Sequence, residues 1–112
     1  MVSPFESVAA GKGTKRQVLL GPNEGATTCA MRKFVMDPGG GMPLHTNTVE
    51  HLQYVLSGEA EIRIGTETIR VRAGDTVHIP AEVPHAYRVT SKEEFAFLCV
   101  IPNAPDKAVI LE

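Results

Sequence analysis

Residues 39–58 read GGGMPLHTNTVEHLQYVLSG, and residues 74–89 read GDTVHIPAEVPHAYRV. Both stretches place valine, isoleucine, leucine, tyrosine and threonine in short runs edged by glycine and proline, the pattern of β-strands separated by turns. They carry His45, His51 and His85. On a strand, residues two apart project to the same side, so His45 shares a face with Asn47, His51 with Gln53 and Val55, and His85 with Tyr87 and Val89. Imidazole is the commonest protein ligand for transition metals. Three imidazoles converging from non-adjacent strands of a closed barrel can hold one divalent ion and leave positions open for water, oxygen or substrate. The spacing permits such a site, although a histidine at a strand start also serves as a surface or hydrogen-bonded residue.

Working outward, strands recur about every ten residues, as in a sandwich or barrel. Gln17 to Leu20 is the first, closed by Gly21-Pro22 and Asn23-Glu24-Gly25. Thr27 to Met36 alternates, with Cys29, Met31, Lys33 and Val35 on one face and Ala30, Arg32, Phe34 and Met36 on the other. Both faces carry apolar groups, so periodicity leaves the inward face open. Asp37-Pro38-Gly39-Gly40-Gly41 is expected to break that strand. Leu52 to Ser57, Ala60 to Ile64, Thr68 to Val71, Thr76 to Ile79, His85 to Val89 and Phe95 to Ile101 complete the sheet, with a tight hairpin at Gly65-Thr66. Residues 1–16 form an arm that docks through Val2, Phe5 and Val8, and residues 17–112 form one domain.

A chain of 112 residues with 43% hydrophobic content suits one domain with one core. Eight prolines and ten glycines favour many short strands over long helices. The 11 basic residues stand against 13 acidic ones with no run of like charge, which argues against nucleic acid or an anionic membrane as partner. A small-molecule ligand fits better. Cys29 and Cys99 form no CxxC pair, no basic-then-apolar leader opens the chain, and no apolar run approaches the roughly 20 residues of a membrane span. A soluble protein in a reduced, cytoplasmic setting is expected.

The two histidine-bearing stretches resemble the two motifs of the cupin family. In the first motif, Gly39, His45 and Gly58 match, while Asn47 stands where a second histidine is usual and His51 where a glutamate is usual. In the second, Gly74, Pro80 and His85 match, while Glu82 replaces a glycine and Val89 an asparagine. The resemblance implies an all-β fold, the double-stranded β-helix or jelly-roll barrel. The Glu50-His51 pair and the ending FAFLCVIP are similar to small single-domain cupins that bind metal through four histidines. By that resemblance the metal ligands are His45, His51 and His85 with Asn47 as a weak fourth donor. The ion is one divalent transition metal: manganese, iron, nickel, copper or zinc. A ligand set that is neutral throughout would leave the ion its full charge. Small cupins commonly pair through their sheets, which implies a homodimer.

Gln53, Tyr87, Phe97, Cys99 and Arg32 are candidate pocket residues. Gln53 and Tyr87 share faces with the histidines, and Cys99 follows Phe97 on one face of the last strand. Arg32 could meet a substrate carboxylate inside the barrel. Each has a plainer alternative: a hydrogen-bonded core residue for Gln53 and Tyr87, a small buried hydrophobe for Cys99, a solvated strand residue for Arg32. His78 is expected at the surface or at a subunit contact, and Glu50 in solvent or behind a ligand. The fold alone does not give function. The expected activity is a metal-dependent, oxygenase-type reaction on a small organic molecule; the alternatives are non-redox Lewis-acid isomerisation or hydrolysis, and a binding or storage module without catalysis.

Overall fold

The computed structural model describes residues 3–112, so Val2 lies outside the described residues. Ten strands follow one another among the described residues: β1 (Glu6–Ser7), β2 (Lys12–Leu20), β3 (Cys29–Asn47), β4 (His51–Ser57), β5 (Glu59–Ile64), β6 (Glu67–Arg72), β7 (Thr76–Ile79), β8 (His85–Val89), β9 (Phe95–Pro102) and β10 (Ala108–Ile110). Every pairing is antiparallel. The fold is the all-β jelly roll that the motif resemblance implied, and a single 3-10 turn at Pro22–Glu24 is the only helical element among the described residues.

β3 joins the two layers. Its first half, Cys29 to Met36, pairs with β2 on one side and β9 on the other, and β9 continues to β4 and β7. Its second half, Gly41 to Asn47, pairs with β8 and β10, and β8 continues to β5 and β6. Asp37-Pro38-Gly39-Gly40-Gly41 therefore bends the strand between layers and does not end it. Glycine permits this: a Cβ at Gly41 would run into the Tyr87 carbonyl, where β3 lies against β8.

The barrel interior is graded. Inward residues of β4 run His51, Gln53, Val55, and those of β8 run His85, Tyr87, Val89, all buried. Both strands thus pass from a polar mouth to an apolar floor, which Met36, Ile62, Val71, Val77, Phe95 and Phe97 complete. Burying each large apolar side chain there contributes about 2 kcal/mol. The structure also settles the open face of β3: Arg32, Phe34 and Met36 turn to the cavity.

Two boundaries differ from expectation. β2 begins at Lys12, not Gln17, because residues 12–16 already pair with β3, and β1 folds back on β2. Within the arm Val8 reaches the cavity while Phe5 stays exposed under the Lys15 ammonium. β10 lies beyond the expected end of the sheet at Ile101. Pro102 and Pro105 interrupt the chain there, and three residues are too few to show periodicity, yet Ile110 pairs opposite His45.

Glu82, which occupies a glycine position of the second cupin motif, has φ 68°, and its amide donates to the Asn47 carbonyl at 2.8 Å. A side chain in this left-handed region costs about 1 kcal/mol, partly offset by the entropy that glycine loses on folding. Glu82→Gly should therefore raise the melting temperature by a few degrees. A lower melting temperature would mean that the Glu82 side chain stabilises the loop by more than its backbone strains it.

Candidate metal and ligand site

A cavity of roughly 170 Å³ opens at the polar end of the barrel. His45, Asn47, His51, Gln53, His85, Tyr87, Phe97 and Arg32 all line it. Cys99 does not. It is fully buried behind the wall, where Arg32 Nη2 and Gln53 Nε2 approach its sulfur at 3.5 and 3.9 Å. Burial pushes its thiol pKa up, with the Arg32 guanidinium opposing, so the sulfur is held protonated. The strand register explains the placement: Cys99 pairs with both Arg32 and Gln53, which stand between it and the open space.

The three histidines come together. Ring centres of His45 and His85 lie 4.2 Å apart and those of His51 and His85 lie 5.8 Å apart. With a metal–nitrogen bond of about 2.1 Å, two imidazoles on one ion have ring centres within about 6.5 Å, so both spacings are compatible with a shared ion. Among the described residues no group of three or more His, Cys, Asp or Glu side chains stands at a spacing that would itself hold a metal ion.

Backbone carbonyls orient two of the rings. Nδ1–H of His45 donates to the Pro43 carbonyl at 2.7 Å, and Nδ1–H of His85 donates to the Val83 carbonyl at 2.9 Å. A carbonyl only accepts, so the proton sits on Nδ1. Where a histidine ligates a metal, an outer hydrogen bond of this kind fixes its tautomer. His85 Nε2 is buried without a partner, and so are His51 Nε2 and Asn47 Oδ1. Three orphaned atoms in one cavity are the donor set a cation would satisfy.

Burial lowers the His85 pKa to about 4, the Val83 carbonyl opposing. Burial also lowers that of His51 to about 4, helped by the Arg32 guanidinium and opposed by Asp106. Both rings are therefore neutral near pH 7, with lone pairs available. The sign of the linkage follows: between pH 6.5 and 4 the unfolded chain binds more protons than the folded one. Metal-free protein should lose stability as pH falls through that window and hold it above pH 6.5, read as denaturation midpoints. A flat profile would contradict the neutral assignment.

Asp106 escaped sequence reasoning. It sits in the proline-punctuated link between β9 and β10, where no alternation or motif marks it. The return of β10 along β3 carries it to the mouth, where Oδ1 accepts from Asn47 Nδ2 at 3.2 Å and Oδ2 lies 3.7 Å from His51 Nε2. Glu50 points away: with His78 it forms a surface pair at 2.9 Å, both side chains about half exposed. Tyr87 OH accepts from Gln53 Nε2 at 2.7 Å, and burial raises the phenol pKa so that it stays protonated.

Fold and site together define a β-barrel with a buried, histidine-lined cavity at one end. Residues 32–101 match the family model described as the cupin domain, and the chain belongs to the cupin family. It is 31% identical over 105 residues to the 1-methylthio-D-xylulose 5-phosphate methylsulfurylase of Rhodospirillum rubrum, an alignment covering 94% of this chain and 62% of that protein. Among solved structures, the polyketide cyclase RemF from Streptomyces resistomycificus superposes with a TM-score of 0.86 at 28% identity, covering 98% of this chain and 82% of that one. A cupin-2 domain protein of R. rubrum gives 0.84 at 26% identity over 100% and 75%.

Proposed function

We propose that the chain is a metal-binding cupin and a metal-dependent enzyme of oxygenase type, acting on a small organic molecule in the barrel. The observation that supports it most is the buried imidazole cluster, with His45 and His85 held by backbone carbonyls and the His51 and His85 Nε2 atoms left unpaired. His45, His51 and His85 would hold the ion, as in the four-histidine cupins, with Asn47 Oδ1 in place of one imidazole. A redox-capable ion bound there would supply the site for oxygen chemistry. The chain's own residues shape the pocket: Gln53 and Tyr87 offer hydrogen bonds, and Phe34 and Phe97 give an apolar wall.

The test is elemental analysis of untagged protein, followed by oxygen uptake with candidate substrates. Close to one manganese, iron, nickel, copper or zinc per chain with oxygen-dependent turnover supports the reading. Turnover undiminished without oxygen would replace it with Lewis-acid chemistry, which the uncharged His51 and His85 favour because they leave a bound ion its full charge. The relatives' names point to more than one chemistry, cyclase and methylsulfurylase among them.

We also propose that two copies pair through the outer face of β4 and β9. Leu52, Tyr54 and Leu56 are all at least 39% exposed on one side of β4, beside Leu98, Val100 and Met31. A contiguous apolar face of this kind is uncommon on a monomer. Light scattering should give twice the chain mass, and Leu52→Glu should halve it. A monomeric wild type would end the proposal.

A further inference from the structure

Arg32 carries the only guanidinium buried in the cavity wall among the described residues, at 9% exposure. Three other arginines have carboxylate partners: Arg16, which also lines the cavity but is only half-buried, with Glu6, and Arg70 and Arg88, on the surface, with Glu61. Arg32 has none among the described residues. Its Nε has no hydrogen-bond partner, and its Nη2 reaches only the Cys99 sulfur, a weak acceptor, at 3.5 Å. Its remaining contact is a cation–π one, with the guanidinium 5.0 Å from the centre of the Phe34 ring. Guanidinium does not shed its proton in proteins, so the charge stays. A buried charge without a partner is strongly destabilising, and a ligand that supplied the opposite charge would relieve that cost. Asp106, the one carboxylate on the cavity among the described residues, is engaged with Asn47 and lies beside His51, beyond ion-pair distance of Arg32.

The wall beside Arg32 is aromatic. Phe34 stacks on Phe97 at 5.1 Å and 10°, and Phe97 stacks on Tyr87 at 5.4 Å and 9°. All three rings line the cavity. We propose that Arg32 is an anion subsite that receives the carboxylate or phosphate head of the ligand, whose apolar body lies against the Phe34–Phe97–Tyr87 stack. The two head groups share the relevant chemistry: paired oxygens with delocalised negative charge, matched to the guanidinium fork. This deepens the reading of the barrel as a small-molecule site and does not depend on a bound metal.

The experiment titrates chelator-treated protein calorimetrically with benzoate, phenyl phosphate and the neutral benzamide, while metal content is measured separately on untreated protein. At least one anion should bind saturably and about a hundredfold more tightly than benzamide, and the tighter anion identifies the head group. Arg32→Met should abolish that preference, leave metal content unchanged, and melt at a higher temperature than wild type without ligand. Arg32→Gln, which keeps polarity without charge, should lose the preference too, so a poorly folded methionine variant does not decide the matter. Equal binding of benzoate and benzamide, no saturable binding of either anion, or anion affinity retained in Arg32→Gln would overturn the proposal. Anion binding in protein that purifies without metal would support it while removing the metal reading.

Discussion

Alanine at His85 should strip the protein of bound metal, and alanine at His45 should do the same. Wild-type protein purified without a histidine tag is expected to hold close to one ion per chain, and either variant close to none. His85 is 1% exposed, its Nδ1 proton committed to the Val83 carbonyl and its Nε2 left bare in the cavity. Even outer-shell changes at metal sites lower affinity about 10–100-fold, so deletion of a ligand itself should lower it further. The alanine also leaves a void among His45, His51 and Tyr87, which destabilises the barrel by about 1–3 kcal/mol. His85→Gln separates the two effects. It fills most of the volume, so the melting temperature should stay near that of wild type while the metal is still lost. Stoichiometric metal in the His45→Ala, His85→Ala double variant would sink the ligand assignment.

How much of this was legible before the structure follows from the kind of signal each residue leaves. Alternation is local, so β4 through β9 could be read nearly residue by residue, and His45, His51 and His85 fell on faces that a barrel closes around. The glycine-rich bend misled because Gly39, Gly40 and Gly41 break periodicity, whereas the strand survives by pairing with different partners on either side of them. Arg32 was ambiguous because Cys29, Met31 and Val35 gave the opposite face of β3 apolar character too. The deciding fact, which layer covers that face, belongs to the tertiary structure. Asp106 left no local signal at all. It reaches the site through β10, whose pairing with β3 joins residues about 60 positions apart, and loop closure over such a span is specified by the whole fold. Cys99 showed the reverse error: its face was read correctly, but Arg32 and Gln53 fill the space between it and the cavity.

Histidine in place of Asn47 should tighten metal binding, by about tenfold or more in competition titration against a chromophoric chelator. Asn47 is 8% exposed, and its Oδ1 is buried on the cavity without a partner. An amide oxygen is a weaker donor than imidazole toward nitrogen-preferring transition metals, so a fourth ring in this place supplies what the first cupin motif here lacks. Asp106 strengthens the expectation. Its Oδ1 now accepts from Asn47 Nδ2 at 3.2 Å, and the same oxygen can accept the Nδ1 proton of the new ring, fixing its tautomer as carbonyls fix those of His45 and His85. Combining Asn47→His with Asp106→Asn tests that coupling, since it removes the carboxylate while keeping the volume. The gain should shrink in the combined variant if Asp106 orients the ring and persist in full if it does not. Affinity unchanged by Asn47→His would mean that the position 47 side chain does not face the ion. The cluster would then be a three-histidine site, with Asp106 Oδ2, 3.7 Å from His51 Nε2, as a further oxygen donor beside it.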